Sequence, residues 1–595
     1  MDTHSDEPDT AESTRSSTPP FTRLPNELLH IILLTWISEA WHECSMVYYE
    51  YQGVPLEAAR VCSHWRSLVL SSPDLWTHIV LSPESHPRKL EAYISRSRHL
   101  PLYIKYFNIY FLRAGIYTDN VEGHGRLLAA NTHRLRELHI DRLHAQHILP
   151  LLSPLYRRSA PLLDRLTVRS TSCGVSGIKG WPKPNLRNLV LGGVELTLPV
   201  NQLHGLEALV LKGNHLCMTV PRLLKSLKEC RNLKFLHLDT LTVRTKLKKG
   251  ALPQMPIHMG SLEYFGFGKG LRGGGSDDTE VVGLDFLNYI SFPASASVAI
   301  TLSDIEDFGT PLPSSSSVAA AASAQAELCL EIYSIADLTY AQQTNYARLR
   351  SPCDRFRVTW SWADAVHERR SAQDLHRMVF EALGLDSLRA LTVALPYSVR
   401  GVFPPKPADP DGYDSDSSDE ESDDEDDASA EDADKEEPDR VREALESTKS
   451  TWNPGQSMWF SILTQIPRSV TTLTMFYDTR RFRCIPDSYR GSGAYPLVRF
   501  HGEWFRLIAK YCQQRKEDGE PVEKVHLAVD DGVFPDGIKS IEAAKRILGQ
   551  NVTDVSHSAR GNQMSRKEPA GSFYQRCRDF GLFAPMIEET VFLHL

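Results

Sequence analysis

The glycines of Gly266-Phe267-Gly268-Lys269-Gly270, with Gly273-Gly274-Gly275 just beyond, are of the type whose backbone N–H groups cradle phosphates. A loop of the Walker kind also needs Ser or Thr after its lysine and a helix opening directly behind it. Lys269 is followed by Gly270 and no helical pattern starts there, so the segment reads as a flexible loop between repeats. His139, His144 and His147 come nearest to a metal-binding group, and His144 and His147 would share a helix face at i, i+3. No strong carboxylate or cysteine partner accompanies them, which leaves surface or partly buried histidines. Asp530-Asp531-Gly532 follows a strand-like run and reads as the turn that ends it. Ser417, Ser418, Ser422 and Ser429 each have an acidic residue three positions on, the pattern an acid-directed kinase uses; a merely solvated linker is the alternative. The ten cysteines stand singly, with no Cys-x-x-Cys pair to hold zinc or cycle as a dithiol. Neither a nucleophile elbow nor a zinc-hydrolase helix motif occurs. These readings leave no catalytic residue, no metal ligand and no cofactor site, and the chain is expected not to be an enzyme.

The elements that carry these residues belong to a chain of 595 residues, 41% hydrophobic and 24% charged, the balance of a soluble globular protein. The net charge of −9 conceals an uneven distribution: residues 409–439 hold 18 acidic side chains and one lysine. The remaining 57 acidic and 65 basic residues leave the rest mildly basic, too little to argue for a nucleic-acid partner. The longest apolar run, Leu28 to Ile37, is broken by His30 and Thr35 and is far short of the roughly 20 residues a membrane span needs. Several cysteines sit inside apolar runs such as Leu328-Cys329-Leu330, as reduced thiols do. No signal-peptide pattern precedes Phe21, so a cytoplasmic or nuclear location is expected, with no membrane partner.

Residues 1–20 are polar, end in Pro19-Pro20 and are expected to be a disordered leader. The pattern then turns helical. Pro25 suits the first position of a helix, Glu27 opposes the helix dipole, and Leu28, Leu29, Ile32, Leu33 and Trp36 recur as one apolar stripe beside a second, Ile31 and Leu34. Periodicity breaks over Trp41–Pro55 and resumes with Ala58, Cys62, Trp65 and Val69, again beside a second row of Val61 and Leu68, until Pro73. Two short helices that are apolar on two faces each cannot bury everything against one another, and the surplus predicts a partner.

A different rhythm begins near residue 131. Leu135-x-x-Leu138-x-Ile140 is followed by Leu163-x-x-Leu166-x-Val168, Leu186-x-x-Leu189-x-Leu191, Leu206-x-x-Leu209-x-Leu211, Leu233-x-x-Leu236-x-Leu238 and Leu262-x-x-Phe265-x-Phe267. The middle residues are spaced 28, 23, 20, 27 and 29 residues apart, the core and step of a leucine-rich repeat, in which alternate side chains of a short strand point inward and stack on those of the next turn. Degenerate copies follow at Val298-x-Ile300-x-Leu302, Leu388-x-x-Leu391-x-Val393, Val470-x-x-Leu473-x-Met475 and Val525-x-Leu527-x-Val529. A Pro, Ser and Ala tract over 311–327 reads as a loop, and the acidic run as a disordered insertion.

The segment Leu24-Pro25-Asn26-Glu27-Leu28-Leu29-His30-Ile31-Ile32 resembles the opening of the F-box family, and Val61-Cys62-Ser63-His64-Trp65-Arg66-Ser67-Leu68 through Pro73-Asp74-Leu75-Trp76 resembles its closing half. The stretch between the halves, Trp36 to Leu56, is longer than in a compact F-box. Joined to leucine repeats, the chain is similar to F-box proteins of filamentous, particularly mushroom-type, fungi. The resemblance implies a substrate receptor of a cullin–RING ubiquitin ligase, docked on a Skp-type adaptor and through it on cullin, with an unidentified protein substrate on the repeats. By residue match, the adaptor site would comprise Leu24, Pro25, Leu28, Leu29, Ile31, Ile32, Val61, Trp65, Leu68, Leu75 and Trp76. The expected fold is α/β: a small all-α F-box module over 21–81, a connector or cap over 82–130, and an irregular repeat horseshoe over 131–400. An acidic insertion over 401–450 and a continuation over 451–595 complete it. The alternative is a repeat scaffold that never supports ubiquitin transfer.

Overall fold

The structure of the protein, a computed structural model, describes residues 24–43, 53–107, 118–155, 158–170, 175–179, 185–197, 204–213, 215–216, 220–244, 255–269, 279–282, 284–303, 317–325, 327–337, 342–351, 355–363, 383, 385, 388–394, 463–464, 466–477, 503–529, 546, 548 and 551–559. The expected leader, the acidic insertion, glycines 270–275 and Asp530-Asp531-Gly532 lie outside the described residues. The chain divides into two compact units, Met1–Leu206 and Glu207–Leu595, both mixed α/β. No helix among the described residues is long and apolar enough to cross a membrane.

The first unit opens with helices α1 (Asn26–Glu43), α2 (Val54–Val61) and α3 (Ser63–Ser71) and a short turn of 3-10 helix, Pro73–Trp76. The carbonyl of Pro25 accepts the N–H of Leu29 at 3.0 Å, so Pro25 caps α1 rather than starting it. α1 also runs past the point where its periodicity was expected to break, because Trp41 extends the row Leu29, Leu33, Ile37 at i+4 and is buried with it.

Strands and helices then alternate: β1 (His78–Leu81), α4 (Pro87–Arg96), β2 (Leu102–Phe107), α5 (Thr118–Ala130), β3 (Leu135–Leu143), α6 (Ala145–Leu152), β4 (Arg165–Ser170), β5 (Val175–Lys179), β6 (Asn188–Gly192) and β7 (Val194–Thr197). β1, β2, β3, β4 and β6 pair in that order, all parallel, and β5 pairs with β7 beside them. The parallel ladder thus starts at His78, two strands before the first leucine copy. Trp76-x-x-Ile79-x-Leu81 and Pro101-x-x-Ile104-x-Tyr106 carry the same inward alternation with other residues at the outer positions.

The second unit holds β8 (Ala208–Lys212), β9 (His215–Leu216), α7 (Val220–Glu229), β10 (Phe235–Asp239), β11 (Thr242–Arg244), β12 (Ile257–His258), β13 (Tyr264–Lys269), β14 (Thr279–Val281), β15 (Ile290–Ser291) and β16 (Ser297–Ser303). It continues with α8 (Ser317–Ser323), β17 (Glu327–Asp337), β18 (Gln342–Arg350), β19 (Phe356–Ala363), β20 (Ala390–Ala394), β21 (Thr472–Tyr477), α9 (Glu503–Glu517), β22 (Lys524–Val529) and β23 (Asp554–Ala559). β8, β10, β13, β16 and β19 pair in parallel; β19, β18 and β17 form an antiparallel meander; β17, β20, β21, β22 and β23 resume the parallel order. The middle residues of the repeats are register partners: Leu209, Leu236, Phe265 and Val298 in one series, Leu391, Leu473 and Val525 in another. Phe356 joins the first and Val555 the second, copies that their aromatic or β-branched composition hid from a leucine pattern.

Two sequence readings are corrected here. Residues 317–323, expected inside a loop, form α8, since alanine is the strongest helix former and Val318, Ala321 and Ala322 are buried. Gly266 and Gly268 lie within strand β13 rather than in a loop. A Cβ on either would fall on the side chain of His237 or Asp239 from β10, so glycine is what lets those side chains lie across the neighbouring strand.

Leu236 is fully buried with Leu209 and Phe265 on either side. Leu236→Ala is expected to destabilise the protein by about 2–5 kcal/mol, read as a lower denaturant midpoint with unchanged slope.

Candidate protein-docking face

α1 is apolar nearly all round, and the fold divides its residues into two rows. Leu29, Leu33, Ile37 and Trp41 are buried, while Leu28, Ile31, Ile32 and Trp36 are 50, 57, 48 and 39% exposed. The stripe expected from the sequence, Leu28 and Leu29 with Ile32, Leu33 and Trp36, is therefore cut along its length. At 100° per residue that group, taken with Ile31, Ile37 and Trp41, lies nearly all round the helix, more than one side can bury, and the half nearer Ile37 and Trp41 turns inward. The Thr35 hydroxyl, between the exposed residues, donates to the Ile31 carbonyl at 2.9 Å, so its hydrogen bond stays within the helix.

The other residues expected at the adaptor surface fall into separate classes. Leu24 is half-buried and Pro25 exposed, at the tip of α1. Val61 is 61% exposed, and Trp65 and Leu68 on α3 are half-buried. Leu29, Leu75 and Trp76 are the correction: all three are internal and present no surface to a partner. The Trp76 indole N–H donates to the Val69 carbonyl at the end of α3 at 2.8 Å, its ring meets Tyr93 of α4 edge-on at 5.0 Å, and the Arg96 guanidinium stands 4.3 Å from its centroid. Trp76 thus ties α3 to the first strand–helix unit. Trp36 and Leu70, the latter 48% exposed on α3, were not expected at the face. Trp36 could have been found, as it continues the row Leu28, Ile32 at i+4.

The sequence histidines do not converge. His144 caps α6, its Nδ1 accepting the Gln146 N–H at 3.5 Å, and His147 is buried on that helix. His139 is buried on β3, with Nε2 3.3 Å from Glu137 Oε2 and Nδ1 3.0 Å from Thr167 Oγ1. A neutral ring protonated on Nε2 satisfies both neighbours. Glu137 also accepts from Arg165 Nη1 at 3.0 Å, and Asp141 pairs with Arg169 Nε at 3.1 Å. Burial opposes the Glu137 carboxylate, yet the bond from His139 and the nearby positive charges hold its pKa below the ordinary value. Burial raises Asp141, against the pull of Arg169. This ladder of alternate residues on two strands is neutralised from within, and no group of three or more His, Cys, Asp or Glu among the described residues could hold a metal ion.

No protein-family model matches the chain, and no curated protein is similar to it.

His124 of α5, which the sequence did not single out, is buried with its Nδ1 3.2 Å from the Tyr106 hydroxyl, and burial lowers its pKa to about 4. Burial lowers His139 as well. Both rings stay uncharged in the folded protein at pH values where the unfolded chain, titrating near about 6.5, takes up protons. The contribution of each to stability is complete above that value and is lost as pH falls below it, for His124 towards about 4. Chemical denaturation at about pH 7.5 and about pH 5 should show the loss, and His124→Gln should make it smaller.

Proposed function

We propose that the chain is a non-catalytic substrate receptor of a ubiquitin ligase, an F-box protein with leucine-rich-repeat-like strands. In this reading α1 to α3 dock on a Skp-type adaptor and through it on cullin, and the strand ladder holds a protein target. The observation that carries it is the row Leu28, Ile31, Ile32 and Trp36, left exposed on a helix whose opposite row is buried. A helix apolar on both sides, with only one side used internally, has the composition of an interface core. Leu28, Ile31 and Ile32 of this row are among the positions that the F-box resemblance assigns to the adaptor. The register of Leu138, Leu166 and Leu189 in one unit, and of Leu209, Leu236 and Phe265 in the other, supports the repeat reading.

The mechanism is positional. One face of the chain is fixed to the ligase while another holds the target near the conjugating enzyme, so that effective concentration replaces chemistry. That accords with a sequence in which neither a nucleophile elbow nor a phosphate loop is found.

Ile31→Asp combined with Ile32→Asp is expected to weaken adaptor binding by more than about 30-fold, the loss of a hot spot worth about 2 kcal/mol or more. The thermal midpoint should move little, because about half of each side chain is already in water. Pull-down from cells reads the outcome. Adaptor recovered equally well by the double variant overturns the docking face. Adaptor without cullin from the wild-type chain favours a scaffold over a ligase subunit.

A further inference from the structure

α1 is held near both ends. Close to its start, His30 Nε2 lies 3.0 Å from Asp74 Oδ2 in the turn that precedes β1. At its last turn, the buried indole of Trp41 meets side chains from three neighbouring strands. His78 of β1 lies edge-on at 5.0 Å, the Lys105 ammonium of β2 stands 4.4 Å from the ring centroid, and His139 of β3 lies at 6.3 Å. Lys105 Nζ also donates to the Trp41 carbonyl.

Each part of this contact has a physical reason. The last carbonyls of a helix have no partner within it, and the negative end of its dipole favours a cation there. A buried ammonium needs compensation for its lost hydration, and an aromatic face with a free carbonyl supplies it. Lys105 is buried on the sheet, and this contact compensates its charge there. His30 and Trp41 are about 16 Å apart along the axis, so these polar attachments fix the two ends of a helix whose buried row Leu29, Leu33 and Ile37 is apolar and non-directional.

We infer that Trp41 and Lys105 form a latch that fixes the direction of α1 relative to β1, β2 and β3. A protein docked on Leu28, Ile31, Ile32 and Trp36 is then held at one orientation to the sheet. The latch also closes the front of these three strands at His78, Lys105 and His139, so a target binds elsewhere. The latch belongs to this chain alone; only its use in presenting a target to a ligase rests on the proposed function.

The test is a distance distribution by pulsed electron paramagnetic resonance between spin labels at Ser38 on α1 and His133 ahead of β3, both exposed. Labels carried on non-natural amino acids avoid the ten native cysteines. The wild-type chain and Lys105→Arg, which keeps a cation able to stack and donate, should each give one narrow peak. Trp41→Ala and Lys105→Met should lose it to a broad distribution. The Lys105 pair decides the matter even if Trp41→Ala does not fold. A peak as narrow in Lys105→Met as in wild type overturns the latch. Pull-down of the Skp-type adaptor by the same unlabelled variants should be unchanged, since neither residue lies on the exposed row. If the wild-type chain recovers no adaptor, the proposed function fails while the distances still judge the latch.

Discussion

A strand in a parallel ladder can bury an inward side chain only against the residues at the same height on the strands beside it, about 4.8 Å away. That constraint governs both units. Leu138 lies between Ile104 and Leu166, and Leu236 between Leu209 and Phe265, so one register must hold through several strands at once. A slip of one residue would turn each inward set outward, which is why the apolar alternation persists where leucine gives way to Ile79, Phe356 or Val555. The antiparallel meander of β17, β18 and β19 respects it too. Leu328 of β17 pairs with Leu391, and Phe356 of β19 with Val298, so the meander enters and leaves the ladder in step.

The same requirement leaves polar groups to be satisfied where helices end, and long cations and tryptophans do this repeatedly. Arg134 donates to the carbonyls of Leu100 and Ile94 around the end of α4. Arg515 donates to Arg468, Pro467 and Val470 on the approach to β21, and Trp76 to Val69 at the end of α3. The two arginines each reach a segment distant in sequence, and all three side chains are buried, so losing one would strand a carbonyl away from water. Gly53 adds a steric counterpart: its φ of 85° suits glycine, and a Cβ there would meet the Tyr93 hydroxyl of α4. The three opening helices are thereby joined to the strands instead of hanging from them.

What remains exposed then carries meaning. Among the described residues, Leu149, Leu162 and Met255 are exposed at scattered sequence positions and Val61 and Leu70 singly on α2 and α3, whereas α1 exposes four large apolar side chains in one row. The helix has spent its inner row on its own unit and keeps the outer one free.

The sequence by itself determined the inward alternation of the strands, the step between them, and the helical opening with its surplus of apolar surface. These are legible because side-chain periods of 2.0 and 3.6 are local properties of a chain. Local pattern did not show where the ladder began, since Ile79 and Ile104 lack the leucines that marked later copies. Nor did it show that Gly266 and Gly268 belong to a strand, which depends on His237 and Asp239 lying across them. Tertiary structure alone decided which row of α1 faces out. Leu28 and Leu29 are equally apolar; the row that turns inward is the one ending in Trp41, which His78, Lys105 and His139 meet from three paired strands.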